Sequence, residues 1–222
     1  MEMLSILTRV PLFAGIDPSD LPGLLSCVEA RERVFQKGEV LLHRGGRTER
    51  LGLVLSGTVQ IIREDFWGNR SVVGLAETGD IFGESYALAG RPLEVSVQAV
   101  SPGRVLFLGA GKVISGCDRV CGFHERLSRN LMALLAEKNL RLTEKMRHMA
   151  RKTTLEKLLS YLSAQALRAG GPEFDIPLDR QQLADFLGVE RSAMSAALGK
   201  LRDEGVLEFR KSHFRLLRQE DD

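Results

Sequence analysis

The stretch Leu178–Leu217, LDRQQLADFLGVERSAMSAALGKLRDEGVLEFRKSHFRLL, decides the fold. Asp179 stands where a helix would start, and Gln182 three residues on completes a capping box. Leu183, Ala184 and Leu187 then recur at helical spacing and are expected to face inward. Gly188 allows a sharp turn, so a second helix can leave at a steep angle. That second helix is expected from about Arg191 to Glu204, with Met194, Ala197, Leu198 and Leu201 on its inner side. Arg191, Ser192, Ser195 and Gly199 fall on the other side, with Ala196 beside them. Gly205 ends it. Val206–Phe209 and Phe214–Leu217 read as two short strands joined by Arg210-Lys211-Ser212-His213. The whole is a helix-turn-helix followed by a β-wing with a basic tip.

This arrangement suits double-stranded DNA. A helix of this size enters the major groove, and small outward side chains let it approach closely. Arg191, near the helix start, can reach a guanine edge or a phosphate, and Ser192 and Ser195 can donate to either. Arg180, Lys200, Arg202, Lys211 and His213 are placed for phosphate contacts, which hold register without specifying sequence. A helical hairpin used only for packing would require neither the small-residue face nor the basic wing. Bulk charge adds little: the net formal charge is +2, and from Arg151 onward 12 Lys/Arg balance 12 Asp/Glu. DNA binding must therefore come from where the cations sit.

Upstream, Thr153-x-x-Glu156 is a second capping box. The helix it opens carries Leu155, Leu158, Leu159 and Leu162 and stops at Gly170-Gly171-Pro172. Residues 147–153 are a hinge candidate. From Cys117 to Met149 the pattern is also helical. Met132, Leu135, Asn139, Leu142, Met146 and Met149, spaced alternately three and four, form a coiled-coil seam with one polar member. Leu127, Leu131 and Leu134 lie on an adjacent face. A helix apolar on two faces has two partners: the second stripe is assigned to the preceding domain and the seam to another copy of the same helix. Asn139 would fix register at some cost in stability. One wide face buried inside a monomer is the competing reading.

From Arg33 to Leu108, short β-branched and apolar runs alternate with glycine turns. The runs are Val40–His43, Leu51–Leu55, Thr58–Arg63, Arg70–Leu75, Asp80–Phe82, Val95–Ala99 and Val105–Leu108. Regular short strands with glycine punctuation predict a jelly roll or barrel, interrupted by one helix at Glu84–Ala89. Before it, residues up to Leu25 read as short helices. Asp17 is expected to cap one, with Pro18 in its first turn, and Leu21, Leu24, Leu25 and Val28 form its apolar stripe. The expected fold class is α+β. Residues 1–116 form a sensor barrel, 117–150 a central dimerisation helix and hinge, and 151–222 a winged helix-turn-helix domain.

Hydrophobic content of 44% and charged content of 27% are ordinary for a globular protein. No apolar run approaches the ~20 residues of a membrane helix. The N-terminal stretch lacks a basic region and a cleavage site, so no secretory leader and no membrane partner are expected. Three cysteines point to a reducing compartment, the cytoplasm. A metal-dependent jelly-roll enzyme would need clustered barrel histidines, and only His43 lies there. No Ser/His/Asp or paired-carboxylate constellation stands out, so the chain is not expected to be an enzyme.

Taken with the glycine-spaced barrel, Phe82-Gly83-Glu84, the long helix and the Leu183-Ala184-x3-Gly188-x2-Arg191 pattern running into Leu201-Arg202, the chain resembles the Crp/Fnr superfamily of bacterial transcription regulators. The resemblance covers the whole chain, and its helix-turn-helix part is the specific one. It implies a homodimer on a palindromic operator, with recognition helices about one DNA turn, ~34 Å, apart. It also implies contact with RNA polymerase, and an effector at the barrel that rotates the DNA-binding domains through the central helix. It places base reading on Arg191, Ser192 and Ser195. Family members often carry another arginine where this chain has Ala196, so the operator is expected to differ.

In cyclic-nucleotide-binding members, the Glu of the Gly-Glu pair accepts from the ribose and an Arg-Ser pair holds the phosphate. Phe82, Gly83, Glu84 and Ser85 match the first half. Counted back from Ala99, the Arg-Ser positions fall on Leu93 and Glu94. Leucine offers no donor and a carboxylate repels phosphate. An effector other than a cyclic nucleotide is therefore expected, held between the barrel and helix residues near Leu131. The alternative is a displaced phosphate grip through Arg91. A further alternative is a thiol or metal switch through Cys117-x3-Cys121-x2-His124, with Cys27 approaching from the N-terminal helices. Iron–sulfur members of the family use four cysteines, and nothing in the spacing selects haem or zinc.

Overall fold

The computed structural model describes residues 2–115 and 122–217. They form two compact units that part between Leu135 and Ala136, inside the longest helix.

The first unit opens with α1 (Glu2–Leu7), a 3-10 turn at Pro11–Phe13 and α2 (Leu21–Cys27). Eight strands follow: β1 (Arg31–Phe35), β2 (Val40–Leu42), β3 (Arg50–Ser56), β4 (Val59–Glu64), β5 (Arg70–Ala76), β6 (Ile81–Phe82), β7 (Ser96–Ala99) and β8 (Gly103–Gly109). The helix α3 (Glu84–Ala89) sits between β6 and β7, with the bounds expected from sequence. After β8 come α4 (Ala110–Ser115) and α5 (Gly122–Met149). The strands make two antiparallel four-stranded sheets, ordered β1-β8-β3-β6 and β2-β7-β4-β5. Phe35, Val54, Phe82 and Val105 of the first sheet meet Leu41, Val59, Ala76, Val97 and Ala99 of the second in one apolar core. The other face of the first sheet presents Leu51, Leu53, Leu55, Leu106 and Leu108 to the helices. This explains why β3 is buried almost throughout rather than alternating.

Gly52 sets the spacing at the seam of the barrel. A Cβ there would lie 2.3 Å from the Phe82 ring, so only glycine admits that ring against β3. Phe82 also meets Phe107 edge-on at 6.0 Å.

The second unit contains the C-terminal part of α5, then α6 (Thr154–Ala169), β9 (Glu173–Asp175), α7 (Arg180–Leu187), α8 (Arg191–Asp203), β10 (Leu207–Arg210) and β11 (His213–Leu216). The capping boxes Thr153/Glu156 and Asp179/Gln182 both form. Gly188 closes α7 at φ 60°. Leu158, Leu162, Leu183, Leu187, Met194, Leu198 and Leu201 share one core with Phe174 and Phe214 of the sheet.

Three expectations change. Asp17 does not cap a helix: its carboxylate accepts from the Ser19 backbone N–H at 2.8 Å, closing a turn, and α2 begins at Leu21. Strand β1 was hidden because four of its five residues are exposed; its backbone pairing to β8 holds it in place. The wing has three strands, because β9 joins β11 through Phe174↔Phe214. A three-residue strand with one buried side chain leaves no periodic signal.

Candidate nucleic-acid interface and sensor site

Helix α8 has two contrasting faces. Met194, Ala197, Leu198 and Leu201 are buried. Arg191, Ser192, Ser195 and Ala196 are exposed, and Gly199 is half-exposed among them. The short side chains around Arg191 leave the backbone open to close approach. Arg191 stands at the first position of the helix with no partner among the described residues, so its donors are available to a ligand.

The remaining predicted contacts differ in kind. Lys200 lies 3.7 Å from Glu204, and Arg202 pairs with Asp203 at 2.9 Å; both pairs are exposed and weak, and yield easily to a phosphate. Lys211 sits at the wing tip at φ 57°, its side chain exposed. Arg180 is half-buried instead. Its guanidinium stacks over Phe209 and Phe214 at 4.9 and 5.1 Å and donates to the Lys211 carbonyl at 2.7 Å. Burial lowers its pKa. It is a strut between α7 and the wing. His213 is held by two carboxylates, Nδ1 at 3.2 Å from Asp175 and Nε2 at 3.1 Å from Glu173. Those hydrogen bonds raise its pKa, and the same carboxylates offset its charge toward a phosphate. Both carboxylates come from β9, which the sequence did not disclose.

On α5, Leu127 and Leu131 are buried in the helical layer of the first unit, with Leu134 and Leu135 packed against it. Met132, Leu142, Met146 and Met149 are exposed; Met146 is 70% and Leu142 62% accessible. Asn139 is exposed in the same stripe. Four of the five apolar seam positions are thus uncovered, whereas Leu135, expected among them, packs against the helical core of the first unit.

In the sensor, Gly83 takes a left-handed conformation, φ 74°, at the start of α3. Glu84 is buried and accepts from the Ser85 hydroxyl at 3.3 Å. Leu93 is 3% exposed, its backbone exchanging hydrogen bonds with Gly45 and Gly46. Glu94 points outward, 3.6 Å from the guanidinium of exposed Arg91. Leu131 belongs to the helical core, not to the inter-sheet core that holds Phe82. An open cleft of about 550 Å³ borders Leu93 and Glu94, lined also by Arg44, Arg63 and Phe66. Arg44 and Arg63 escaped the sequence reading because they stand far upstream of the Gly-Glu turn.

Cys27 is partly buried. Cys117 and Cys121 lie outside the described residues. Among the described residues no cluster of His, Cys, Asp or Glu could hold a metal. His124 is buried, neither ring nitrogen has a hydrogen-bond partner among the described residues, and burial lowers its pKa.

The family model of the cyclic nucleotide-binding domain matches residues 32–119, and that of the Crp-like helix-turn-helix domain matches residues 156–221. The chain belongs to the Crp/Fnr superfamily of transcription regulators. Among Crp/Fnr relatives, it is 28% identical over 198 residues to the cyclic AMP receptor protein of Thermus thermophilus, covering 89% of this chain and 88% of that one. It is 26% identical to the nitrogen fixation regulation protein FixK of Azorhizobium caulinodans, covering 91% and 81%. The fold matches the c-di-GMP responsive global regulator CLP of Xanthomonas campestris with a TM-score of 0.58 at 18% identity, covering 91% and 100%. The matched helix-turn-helix region contains α7, α8 and the wing. Among the described residues no helix is long and apolar enough to cross a membrane.

Proposed function

We propose that this protein is a cytoplasmic homodimer, not an enzyme, that binds a palindromic operator through two copies of α8 and acts there with RNA polymerase. The observation that carries this reading is the outer face of α8: small, exposed and led by Arg191, which has no partner among the described residues. Exposed Met132, Leu142, Met146 and Met149 support pairing through α5, with Asn139 in the same seam and half-buried Leu135 at its edge. Arg191, Ser192 and Ser195 read bases; Lys200 and Lys211 contact phosphates. The dimer helix and hinge occupy residues 117–150, between a sensor at 1–116 and a DNA-binding domain at 151–222.

The sensor takes an effector other than cyclic AMP or cyclic GMP. Leu93 fills the place of the phosphate-holding arginine with a buried alkyl chain, and Arg91 faces outward beside Glu94. Glu84, Phe82, Gly83 and Ser85 keep the shape of the turn without its anion grip. The name of the Thermus relative says cyclic AMP; this chain lacks the donors for that ligand at the matching positions. Selection of bound sites from a random duplex library tests the reading. A two-fold symmetric consensus with half-sites one helical turn apart is expected. Recovery of no enriched sequence refutes it.

A further inference from the structure

His148 is 1% exposed, at the C-terminal end of α5 and one residue before the helix stops. The stripe Glu137, Arg141, Glu144 and His148 faces away from the seam of Leu142 and Met146, because spacings of four, three and four keep it on one side of the helix. That stripe lines a cleft of about 380 Å³ with Tyr161, Gln165 and Arg168 of α6 and Phe186 of α7. Glu144 is paired with Arg168. His148 Nδ1 lies 2.8 Å from the Ser160 hydroxyl, and Nε2 lies 3.8 Å from Glu144. Its ring meets Tyr161 edge-on at 5.8 Å and tilts against Phe186 at 6.4 Å. All these groups belong to the second unit. The imidazole is therefore the centre of the joint that seats the end of the long helix on α6 and α7.

We infer that His148 is a positioning residue for DNA recognition, and that its protonation loosens this joint and weakens operator binding in acid. The inference rests on the DNA-binding reading above. The geometry sets the direction. A neutral ring with its proton on Nε2 aims that proton at Glu144 and accepts at Nδ1 from Ser160. A second proton forces Ser160 to accept instead and adds a charge between two aromatic rings. The charged groups facing the ring are Glu144 and Arg147 on α5 and Arg168 on α6; α7 presents only Phe186. Glu144 is already engaged by Arg168, and the two arginines oppose a new cation. Tyr161, pushed up to about 12 by burial, stays neutral throughout. Burial depresses the pKa of His148 below its usual 6.5. The closed joint thus binds fewer protons than the open one. Its contribution is complete above the ordinary histidine pKa and is lost as pH falls through the depressed value.

The test uses the full chain, the best duplex from the random-library selection, and constant ionic strength. Affinity is measured by fluorescence anisotropy from about pH 7.5 to about pH 5.5. Wild type is expected to weaken about fivefold or more across that range, against a ceiling of about a hundredfold per pH unit for one proton on each of two protomers. His148→Gln keeps a partner for Ser160 without a titrating group, so the part of the slope that His148 supplies should disappear. His213 adds the same slope to both proteins and cancels in the comparison. A wild-type slope retained in His148→Gln overturns the inference. Amide hydrogen exchange of Thr154–Ala164 in free wild-type protein is the second measurement. Protection there, corrected for intrinsic rate, should fall with acid; unchanged protection overturns the inference even if the variant does not fold. If the selection yields no site, the DNA reading fails while the exchange result still decides the joint.

Discussion

Replacing Arg191 with alanine separates recognition from stability. Arg191 is exposed, at the first position of α8, with no partner among the described residues. Its removal should leave folding within about 0.5 kcal/mol of wild type, as for other surface substitutions away from caps and networks. A bidentate contact to a base contributes about 1–3 kcal/mol. Two protomers place two copies on one operator, so the loss is about 2–6 kcal/mol, or about thirtyfold to about twenty-thousandfold in affinity. The assay is anisotropy titration of the selected duplex and a scrambled duplex at two salt concentrations, with thermal unfolding of each protein alongside. A base contact predicts a large loss on the selected duplex and a small one on the scrambled duplex. A phosphate contact predicts equal losses and a salt slope reduced by about one per arginine. Unchanged affinity for the selected duplex, with the fold intact, refutes the assignment of α8 as the reading helix.

Arg180→Ala should behave in the opposite way. It removes a guanidinium stacked on Phe209 and Phe214 and bonded to the Lys211 carbonyl. About 1–3 kcal/mol of stability should go from the DNA-binding domain, visible as a lower denaturant midpoint; a loss of affinity at unchanged stability would make Arg180 a direct DNA contact. Gly52→Ala places a methyl against the Phe82 ring and should cost about 1–3 kcal/mol, read as a lower Tm for the sensor unit. An unshifted transition would mean the Phe82 ring moves freely. For His213, hydrogen bonds to Asp175 and Glu173 raise the pKa above 6.5. Its contribution to the wing is therefore present below 6.5 and fades as pH climbs through the raised value. NMR titration should give a midpoint above the ordinary histidine value, and Asp175→Asn should bring it down. An ordinary midpoint in wild type would remove the pairing.

The recognition half of the molecule was legible from local patterns. Capping boxes, glycine stops and 3.6-residue periodicity depend on neighbours within four positions, so Thr153, Asp179, Gly188 and the buried side of α8 could be read directly. The absence of an Arg-Ser pair at Leu93 and Glu94 was likewise a matter of residue identity. What chain position cannot show is which distant group meets a given side chain. Arg180 and His213 look like two equivalent surface cations in sequence. One is made a strut by Phe209 and Phe214, and the other is held by Asp175 and Glu173. Strand β9, which supplies those carboxylates, has one buried residue and exists only through its ladder with β11. His148 reads as a polar residue near a hinge until α6 and α7 close over it with Ser160, Tyr161 and Phe186. The sequence by itself determined the winged helix-turn-helix, because capping boxes, glycine stops and helical periodicity are written in short-range spacing. Only the tertiary structure decided which cations are available to DNA, because availability depends on carboxylates, rings and carbonyls brought together from far along the chain.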